Sequence, residues 1–400
     1  MTRARRVLAA AMISRTVSVL PAFLIGGLAV LMRNELDFTE AQLGMGISLY
    51  YSAYALSAVP AGRIADRLGY RRSIGLAIFI STICLLGIGL AQQWTHIAAM
   101  VAFAGTANAF SQPGTNVALH LAIRPQRQGL AFGMKQSAVP LASLTAGASV
   151  PLLGLTVGWR WAFLLAAAAA MAYFVVMPKM SAQERESAAA VRAGLDDAPR
   201  PRRDGVPSSR ALLMIATAAG FASAAVNCLS PFFVDSAVAR GASPALAGVM
   251  LSIGGAVGFA SRIAWGWVAD RRGRGSLQLT ILLLGTGTLG LALLSVASEL
   301  PILAVAVLLA FAAGSGWSGL LHFAVVRSYP TSPAAATGTT ITGLAVGGMV
   351  GPLVFGWLAT SATYGAAWIF TAGLMGLSAV LLAIARTRLI KEKTGTCQAG

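Results

Sequence analysis

Twelve long apolar stretches follow one another along this 400-residue chain and limit the folds open to it. Each has roughly 20 residues, the length of helix that crosses ~30 Å of hydrocarbon. The stretches lie at 8–32, 41–62, 73–92, 96–119, 129–154, 161–178, 211–235, 244–268, 277–297, 302–326, 336–359 and 366–385. In lipid every backbone N–H and C=O group needs an internal partner, which a helix provides within one such stretch. Barrel strands would instead show alternation over ~10 residues, which is absent here. We therefore predict an all-α integral membrane protein with twelve transmembrane helices.

The composition argues against a soluble fold. Hydrophobic residues make up 56% of the chain and charged residues 11%, with a mean hydropathy of +0.73. Soluble domains carry about 25% charged residues. A soluble fold of this length would leave much of its apolar surface in water. The lipid bilayer is therefore the expected surroundings.

The net charge of +17 is distributed unevenly along the chain. In the predicted topology, 24 of the 30 Lys and Arg residues lie on one side of the membrane. Only Arg33, Arg160 and Arg240 lie in the alternate loops. This asymmetry follows the positive-inside rule and predicts that both termini are cytoplasmic, in an inner or plasma membrane. It also argues against a nucleic-acid partner, which would require a basic patch on one folded surface.

The chain divides into two related halves. A polar segment at 181–209 separates six spans from six, so we predict an N-terminal bundle at 1–180, a cytoplasmic linker at 181–209 and a C-terminal bundle at 210–400. One motif follows span two and recurs after span eight, 204 positions later: Gly62-x-x-x-Asp66-Arg67-x-Gly69 and Gly266-x-x-x-Asp270-Arg271-x-Gly273. A second pair, with Trp161 and Trp368 near the starts of spans six and twelve, recurs at an offset of 207. Two matches at nearly one offset indicate duplication.

The duplicated motif resembles the signature of the major facilitator superfamily, and the resemblance extends over essentially the whole chain. It implies two six-helix bundles related by a pseudo-twofold axis along the membrane normal. It also implies a substrate site between the bundles near the midplane and transport by alternating access. In the family the motif's aspartate contacts a helix of the other half and helps to hold the outward-open state. The resemblance thus implies a conformational latch, whose members here are Gly62, Asp66, Arg67, Gly69, Arg71, Gly266, Asp270 and Arg271. The alternative is that these charges only anchor loops at the headgroups.

Three cations interrupt the apolar spans. From the helix rise, Arg15, Lys135 and Arg262 lie roughly 13, 10 and 12 Å inside the membrane boundary. An embedded charge costs at least ~2.5 kcal/mol, so such residues are functional candidates. The thirteen Asp and Glu residues all fall in loops, tails or helix ends. Cations without embedded carboxylates predict an anionic substrate. The alternatives are that Arg262 binds helix carbonyls or water, and that Lys135 reaches the cytoplasmic surface.

Polar residues repeat every third span. Spans three, six, nine and twelve lack charged, Asn and His residues in their interiors, which predicts that they face lipid. Spans one, four, seven and ten carry such residues and are expected to line the transport path. Their further candidates for substrate binding are Asn108, Gln112, Asn116, Asn227 and Trp317. The first three share one helix face, at i, i+4 and i+8. His322 is the candidate for proton coupling because its ordinary pKa lies near 6.5. Alternatively, Trp317 packs among glycines and His322 forms a hydrogen bond near the surface.

These observations predict a secondary transporter of a small organic anion, a carboxylate, with proton symport as the coupling. The first alternative is drug or metabolite efflux by proton antiport. The family's antiporter signature lies in span five, but this chain has Val150 where that signature has glycine, which weighs against drug antiport. The second alternative is a non-transporting membrane sensor or scaffold. We expect no enzymatic activity, cofactor or metal, and a monomeric protein in the lipid bilayer. The chain has no catalytic triad, zinc-protease or phosphate-loop motif, and its three cysteines lie in spans and a tail.

Overall fold

A computed structural model describes residues 3–123, 127–177, 210–272, 276–297, 299–329 and 333–398. The described chain is built of α-helices. We number them α1 (Arg3–Leu36), α2 (Glu40–Leu68), α3 (Tyr70–Gly89), α4 (Trp94–Ala122), α5 (Gln128–Gln136, Ala138–Ser149 and the π-helical Val150–Gly154), α6 (Trp159–Val176), α7 (Arg210–Val238), α8 (Pro244–Arg272), α9 (Ser276–Val296), α10 (Leu300–Ala312 and Trp317–Ser328), α11 (Pro333–Ser361) and α12 (Tyr364–Gln398).

All twelve predicted spans are helical. Within the described residues, ten helical stretches are long and apolar enough to cross a membrane. The other two helices, α2 and α4, carry more polar residues, and each has 29 residues, or about 43 Å at 1.5 Å per residue. Several helices extend beyond the predicted spans, since helical geometry continues into the polar headgroup region whereas an apolar sequence does not. The twelve-helix membrane fold is confirmed.

Two of the helices are interrupted near their centres. In α5 the break lies at Ser137, and Pro140 explains it because proline has no N–H to donate to the carbonyl of Gln136, four residues earlier. In α10 the break covers 313–316, which includes Gly314 and Gly316, and glycine is a weak helix former. Both breaks release backbone carbonyls from the helical hydrogen-bond pattern.

The two halves repeat one packing arrangement. In the first half α1 packs on α5, α2 on α4 and α3 on α6; in the second half α7 packs on α11, α8 on α10 and α9 on α12. Adding six to each helix number of the first half gives the second, as duplication requires. The predicted linker at 181–209 lies outside the described residues, and the exact domain boundaries stay a prediction.

The helices that were predicted to face lipid, at every third position, differ in how far they are buried. The apolar windows of α6, α9 and α12 are 28%, 39% and 44% buried, and those of α8 and α11, which pack against the other half, are 39% and 33% buried. The window of α3 is 61% buried, as much as that of α1, and its exposed large hydrophobic side chains are Phe79, Ile83 and Leu86, with Leu90 directly after the helix. Because α3 packs against α1, α4 and α6, neighbours cover it although its own interior carries no charge.

The halves meet along three helix pairs: α1 with α7, α2 with α11 and α5 with α8. An even number of crossings places both chain ends on one side, which we call the terminal side; the other is the opposite side. Small residues permit close approach. A Cβ on Gly147 of α5 would meet the Gly248 carbonyl of α8, and a Cβ on Gly26 of α1 would meet Pro231 of α7. These close glycine contacts join the halves near the centre of the bundle and toward its opposite side.

Gly347 is expected to be the more sensitive of two glycines on α11. A Cβ at this position would overlap the Gly220 carbonyl of α7, whereas a Cβ on Gly338 would meet no atom within 4 Å. Overpacking costs about 1–3 kcal/mol, and alanine in an open helical position gains roughly 0.5–1 kcal/mol over glycine. Gly347→Ala should therefore lower the melting temperature of the detergent-purified protein, and Gly338→Ala should leave it unchanged or raise it. Equal shifts for the two variants would contradict the packing.

Candidate functional site

The central helices place the predicted site residues in one layer of the bundle. The hydroxyls of Ser14 and Ser111 are 3.0 Å apart and join α1 to α4. The hydroxyl of Thr16 donates to the backbone carbonyl of Ala138 at 3.5 Å and joins α1 to α5. Arg15 lies between these two contacts in sequence. It is therefore level with the middle of α4 and with the break in α5.

Lys135 is held by two amide oxygens from α4. Its ammonium group donates to Gln112 Oε1 at 2.7 Å and to Asn116 Oδ1. Two members of the predicted polar face of α4 thus meet one cation. Lys135 is only 2% exposed, so the alternative that it reaches the surface is wrong. Its hydrogen-bond partners are neutral and leave its positive charge uncompensated.

Arg262 binds the backbone carbonyls that the two helix breaks release. Its Nε donates to the Ser315 carbonyl at 2.9 Å, inside the break of α10. Its Nη1 donates to the Gln136 carbonyl at 2.6 Å, at the break of α5. The alternative that Arg262 binds helix carbonyls is thus correct. Since α8 and α5 belong to different halves, this side chain also joins the halves at the level of the site.

Arg15 differs from the other two cations in its hydrogen bonding. It is 7% exposed, and its Nε and Nη1 atoms are buried without a hydrogen-bond partner among the described residues. It interacts electrostatically with both Lys135 and Arg262. Within the described part of the chain, none of the three cations forms an ion pair. An unpartnered buried cation is costly.

Tyr51 is a site residue that the sequence analysis missed. Its hydroxyl donates to Asn227 Oδ1 at 2.5 Å, and the Asn227 amide donates to the Ser223 hydroxyl at 3.0 Å. Tyr51 also interacts electrostatically with Arg15 and Arg262. The three-span polarity pattern excluded α2 from the path, because a tyrosine in an apolar run gives no strong signal. The predicted candidate Asn227 is therefore paired with a residue of the other half.

Asn108, Trp317 and His322 have different surroundings. Asn108 Oδ1 and Trp317 Nε1 are buried without a hydrogen-bond partner in the described structure, and the two residues are 2% and 3% exposed. The Nδ1 of His322 lies 2.7 Å from the Ser318 carbonyl, so this nitrogen is the donor. His322 also interacts electrostatically with Lys135.

The described contacts of the duplicated motif leave its predicted latch untested. The side chains of Asp66 and Asp270 lie outside the described residues, as does Gly273. Arg71 donates to the Met177 carbonyl at 3.1 Å, and the Arg271 guanidinium lies 3.8 Å from the ring centre of Trp267. Both contacts stay within one half.

The glycines of the motif have separate roles. Gly69 has φ +80, which L residues with side chains rarely adopt, and it turns the chain from α2 into α3. Gly62 has open space around it. Gly266 of α8 faces Gly133 of α5, where a Cβ on Gly133 would come within 3.3 Å of the Gly266 Cα. Gly266 therefore lies on the interface between the halves, and Gly69 serves the turn.

A second polar cluster joins the two halves on the opposite side of the bundle. Arg33 at the end of α1 forms ion pairs of 2.8 Å with Glu40 of α2 and with Asp235 of α7. The Tyr364 hydroxyl donates to Glu40 Oε1 at 3.4 Å, and the Thr360 hydroxyl accepts from the Ala41 N–H at 2.9 Å. The Asp235 side chain is 1% exposed. The sequence assigned Arg33 to a loop and Asp235 to a helix end, and gave no indication that they pair.

Comparison with known proteins identifies the family of this chain. A model of the Major Facilitator Superfamily matches residues 11–341. A putative tartrate transporter of Agrobacterium vitis is 26% identical over 405 aligned residues, covering 90% of this chain and 85% of that protein. An MFS-type efflux pump of Mycolicibacterium smegmatis is also 26% identical, covering 87% of this chain and 82% of that protein.

A solved structure has the same fold. It is a bacterial homolog of the human lysosomal transporter Spinster, in an inward-facing and occupied conformation. It aligns with a TM-score of 0.69 at 16% identity and covers 98% of both chains. The twelve helices, the repeated halves and the family match lead to one conclusion: the chain belongs to the major facilitator superfamily and is an integral membrane transporter of small molecules.

Proposed function

We propose that this transporter carries a small organic anion, a carboxylate. The observation that supports this most directly is the cation layer formed by Arg15, Lys135 and Arg262, in which the described residues place no carboxylate. Lys135 and Arg262 already hold neutral oxygen atoms, whereas Arg15 keeps two buried nitrogens unpartnered. Arg15 is thus the carboxylate ligand. The other two cations raise the local positive potential and position the neighbouring helices.

The relatives support an anionic substrate. One of them is named a putative tartrate transporter, and tartrate is a dicarboxylate. The match is 26% identical over nearly the whole chain, so it supports the chemical class of the substrate and leaves the individual compound open. We propose the same substrate class for the present protein because its own cations independently favour a negatively charged substrate.

Transport would proceed by alternating access, with the chain acting as a monomer. The cluster of Arg33, Glu40 and Asp235 closes the opposite side. Toward the terminal side, Asn116 next to Lys135 is exposed. These features fit a state whose site communicates with the terminal side. By the distribution of positive charge, the terminal side is the cytoplasmic side of the cell membrane.

The test is flux into liposomes that contain the purified protein. Radiolabelled succinate should accumulate with saturation, whereas a labelled organic cation such as tetraethylammonium should not. The triple variant Arg15→Ala, Lys135→Ala and Arg262→Ala should reduce succinate uptake to the level of empty liposomes. Arg6→Ala, an exposed cation on α1, serves as the matched control and should keep its uptake. Uptake by the triple variant equal to that of the parent protein would refute the proposed site.

Proton symport through His322 is the proposed coupling. His322 is the histidine beside the cation layer, and its Nδ1–H is fixed on the Ser318 carbonyl, so its Nε2 is the atom available to accept a proton. Histidine commonly exchanges protons near neutral pH. We expect an inward proton gradient to stimulate uptake several-fold, and His322→Gln to abolish this stimulation while keeping exchange of anion for anion. Stimulation that survives in His322→Gln would exclude this residue as the coupling group.

Efflux of drugs or metabolites is the second candidate function. It is supported by the 26% identity to an MFS-type efflux pump. Overproduction of the protein in a sensitised host distinguishes the two candidates. Resistance to unrelated compounds, with no carboxylate flux in liposomes, would favour efflux.

A further inference from the structure

Two buried amide oxygens beside the cation layer lack hydrogen-bond donors. They are Asn108 Oδ1 on α4 and Gln136 Oε1 on α5, and neither has a partner among the described residues. Asn108 lies one helical turn from Ser111, whose hydroxyl contacts Ser14, the neighbour of Arg15. Gln136 follows Lys135, and its own carbonyl accepts from Arg262. Both residues therefore lie at the level of the three cations.

The cation layer also holds unpartnered donors. They are Nε and Nη1 of Arg15, and Nε1 of Trp317, which lies two residues beyond the Ser315 carbonyl that Arg262 binds. An ionised carboxylate only accepts hydrogen bonds, so it can bind these donors but cannot donate to an amide oxygen. A hydroxyl both donates and accepts. It can therefore pair with an amide even if the oxygen and nitrogen of that amide are exchanged.

We propose that the substrate is a hydroxylated carboxylate and that Asn108 and Gln136 determine this specificity. The inference rests on the proposed transport of organic anions and narrows its substrate class. The carboxylate binds Arg15, and the hydroxyl donates to one of the two amide oxygens. An analogue without the hydroxyl leaves that oxygen buried and unpaired, and sites built to bind a hydroxyl reject such analogues strongly.

Two pairs of probes that differ by one hydroxyl test this specificity. They are succinate with malate, and propionate with lactate, each assayed for uptake into liposomes containing the purified protein. We expect a kcat/KM at least about 10-fold higher for the hydroxylated member of the transported pair, since an unpaired buried polar group is costly. In whichever of Asn108→Leu and Gln136→Met removes the amide that binds the hydroxyl, the ratio should fall toward 1, through loss of the hydroxylated substrate rather than of its analogue. A full ratio in both variants would overturn the assignment of these two residues.

Gln93→Met is the matched control for these variants. Gln93 is exposed just before α4 and makes no side-chain capping hydrogen bond, so its replacement should keep the full ratio. Each ratio is measured within one protein preparation, so a variant that folds in lower yield still reports its specificity. Equal uptake of both members of each pair by the parent protein would overturn the specificity and leave anion transport standing. Uptake of none of the four anions would overturn both proposals.

Discussion

Replacing Arg15 with glutamine is expected to lower carboxylate uptake at least about 100-fold. A hydrogen bond to a charged group contributes about 1.5–3 kcal/mol, and Arg15 has two buried nitrogens without partners to offer a carboxylate. Two such bonds amount to about 3 kcal/mol or more, and each 1.4 kcal/mol is a factor of ten in affinity. Initial rates of labelled succinate or malate uptake over a range of concentrations provide the measurement.

Two companion variants separate a ligand from a structural role. Arg15→Lys keeps the charge but loses the planar guanidinium, so its uptake should lie between those of the parent and Arg15→Gln. Because Arg15 has no hydrogen-bond partner among the described residues, its replacement should leave the melting temperature without added anion unchanged or raised. Stabilisation by added anion should disappear at the same time. A large loss of melting temperature in Arg15→Gln would instead identify a structural residue.

Replacing Arg33 with glutamine is expected to open the opposite side of the bundle. The change leaves the Asp235 carboxylate, whose side chain is 1% exposed, without its cation, and removes the partner of Glu40 as well. Breaking a fully buried ion pair costs about 3–5 kcal/mol, and the cost is lower here because the Arg33 side chain is 26% exposed. The closed arrangement is destabilised by this amount, so the conformational equilibrium shifts toward states in which the cluster separates. Transport should slow accordingly, because the cycle no longer returns readily to the closed state.

Cysteine labelling measures this shift. Ser236 is buried beside Asp235, and Ser236→Cys in a background without the native cysteines gives a reporter for a membrane-impermeant maleimide. We expect labelling at least about 10-fold faster in Arg33→Gln, and slower again when Asp235→Asn is added, since neutralising the stranded carboxylate removes much of the cost.

The exposed pair of Arg160 and Glu35 offers the matched control. It lies on the same side of the bundle but within one half, and exposed ion pairs contribute about 0–1 kcal/mol. Arg160→Gln should therefore leave the labelling rate nearly unchanged. Unchanged labelling in Arg33→Gln itself would mean that the glycine contacts, rather than the ion pairs, keep this side closed.

The fold could be predicted from the sequence because lipid imposes a simple requirement. A helix of roughly 20 apolar residues satisfies its backbone within one stretch of chain, so hydropathy alone located the twelve helices. The duplicated motif, 204 positions apart, likewise indicated two halves with one packing arrangement. The burial of α3 is less visible in the sequence. Local composition reports the polarity of a helix, whereas the burial of α3 depends on the neighbours that cover it.

The charged residues of the candidate site could be predicted from the sequence. Their hydrogen-bond partners were harder to predict. Embedded cations are visible in the sequence because they interrupt apolar runs. Their partners are not, since Arg262 binds a carbonyl of Gln136 that is available only where Pro140 interrupts α5. Tyr51 was not predicted because its partner Asn227 lies 176 positions away on a helix of the other half.

By itself the sequence determined that the chain crosses the membrane twelve times in two related halves, and that three cations lie inside the spans without an acidic neighbour in sequence. Only the tertiary structure decided that, among the described residues, Arg15 lacks hydrogen-bond partners while Lys135 and Arg262 have them, and that Arg33 pairs with Asp235 on the opposite side. The physical reason is that entry into lipid depends on the apolar content of a single helix. Hydrogen bonding and ion pairing depend on which distant helices bring their side chains within about 3 Å of one another.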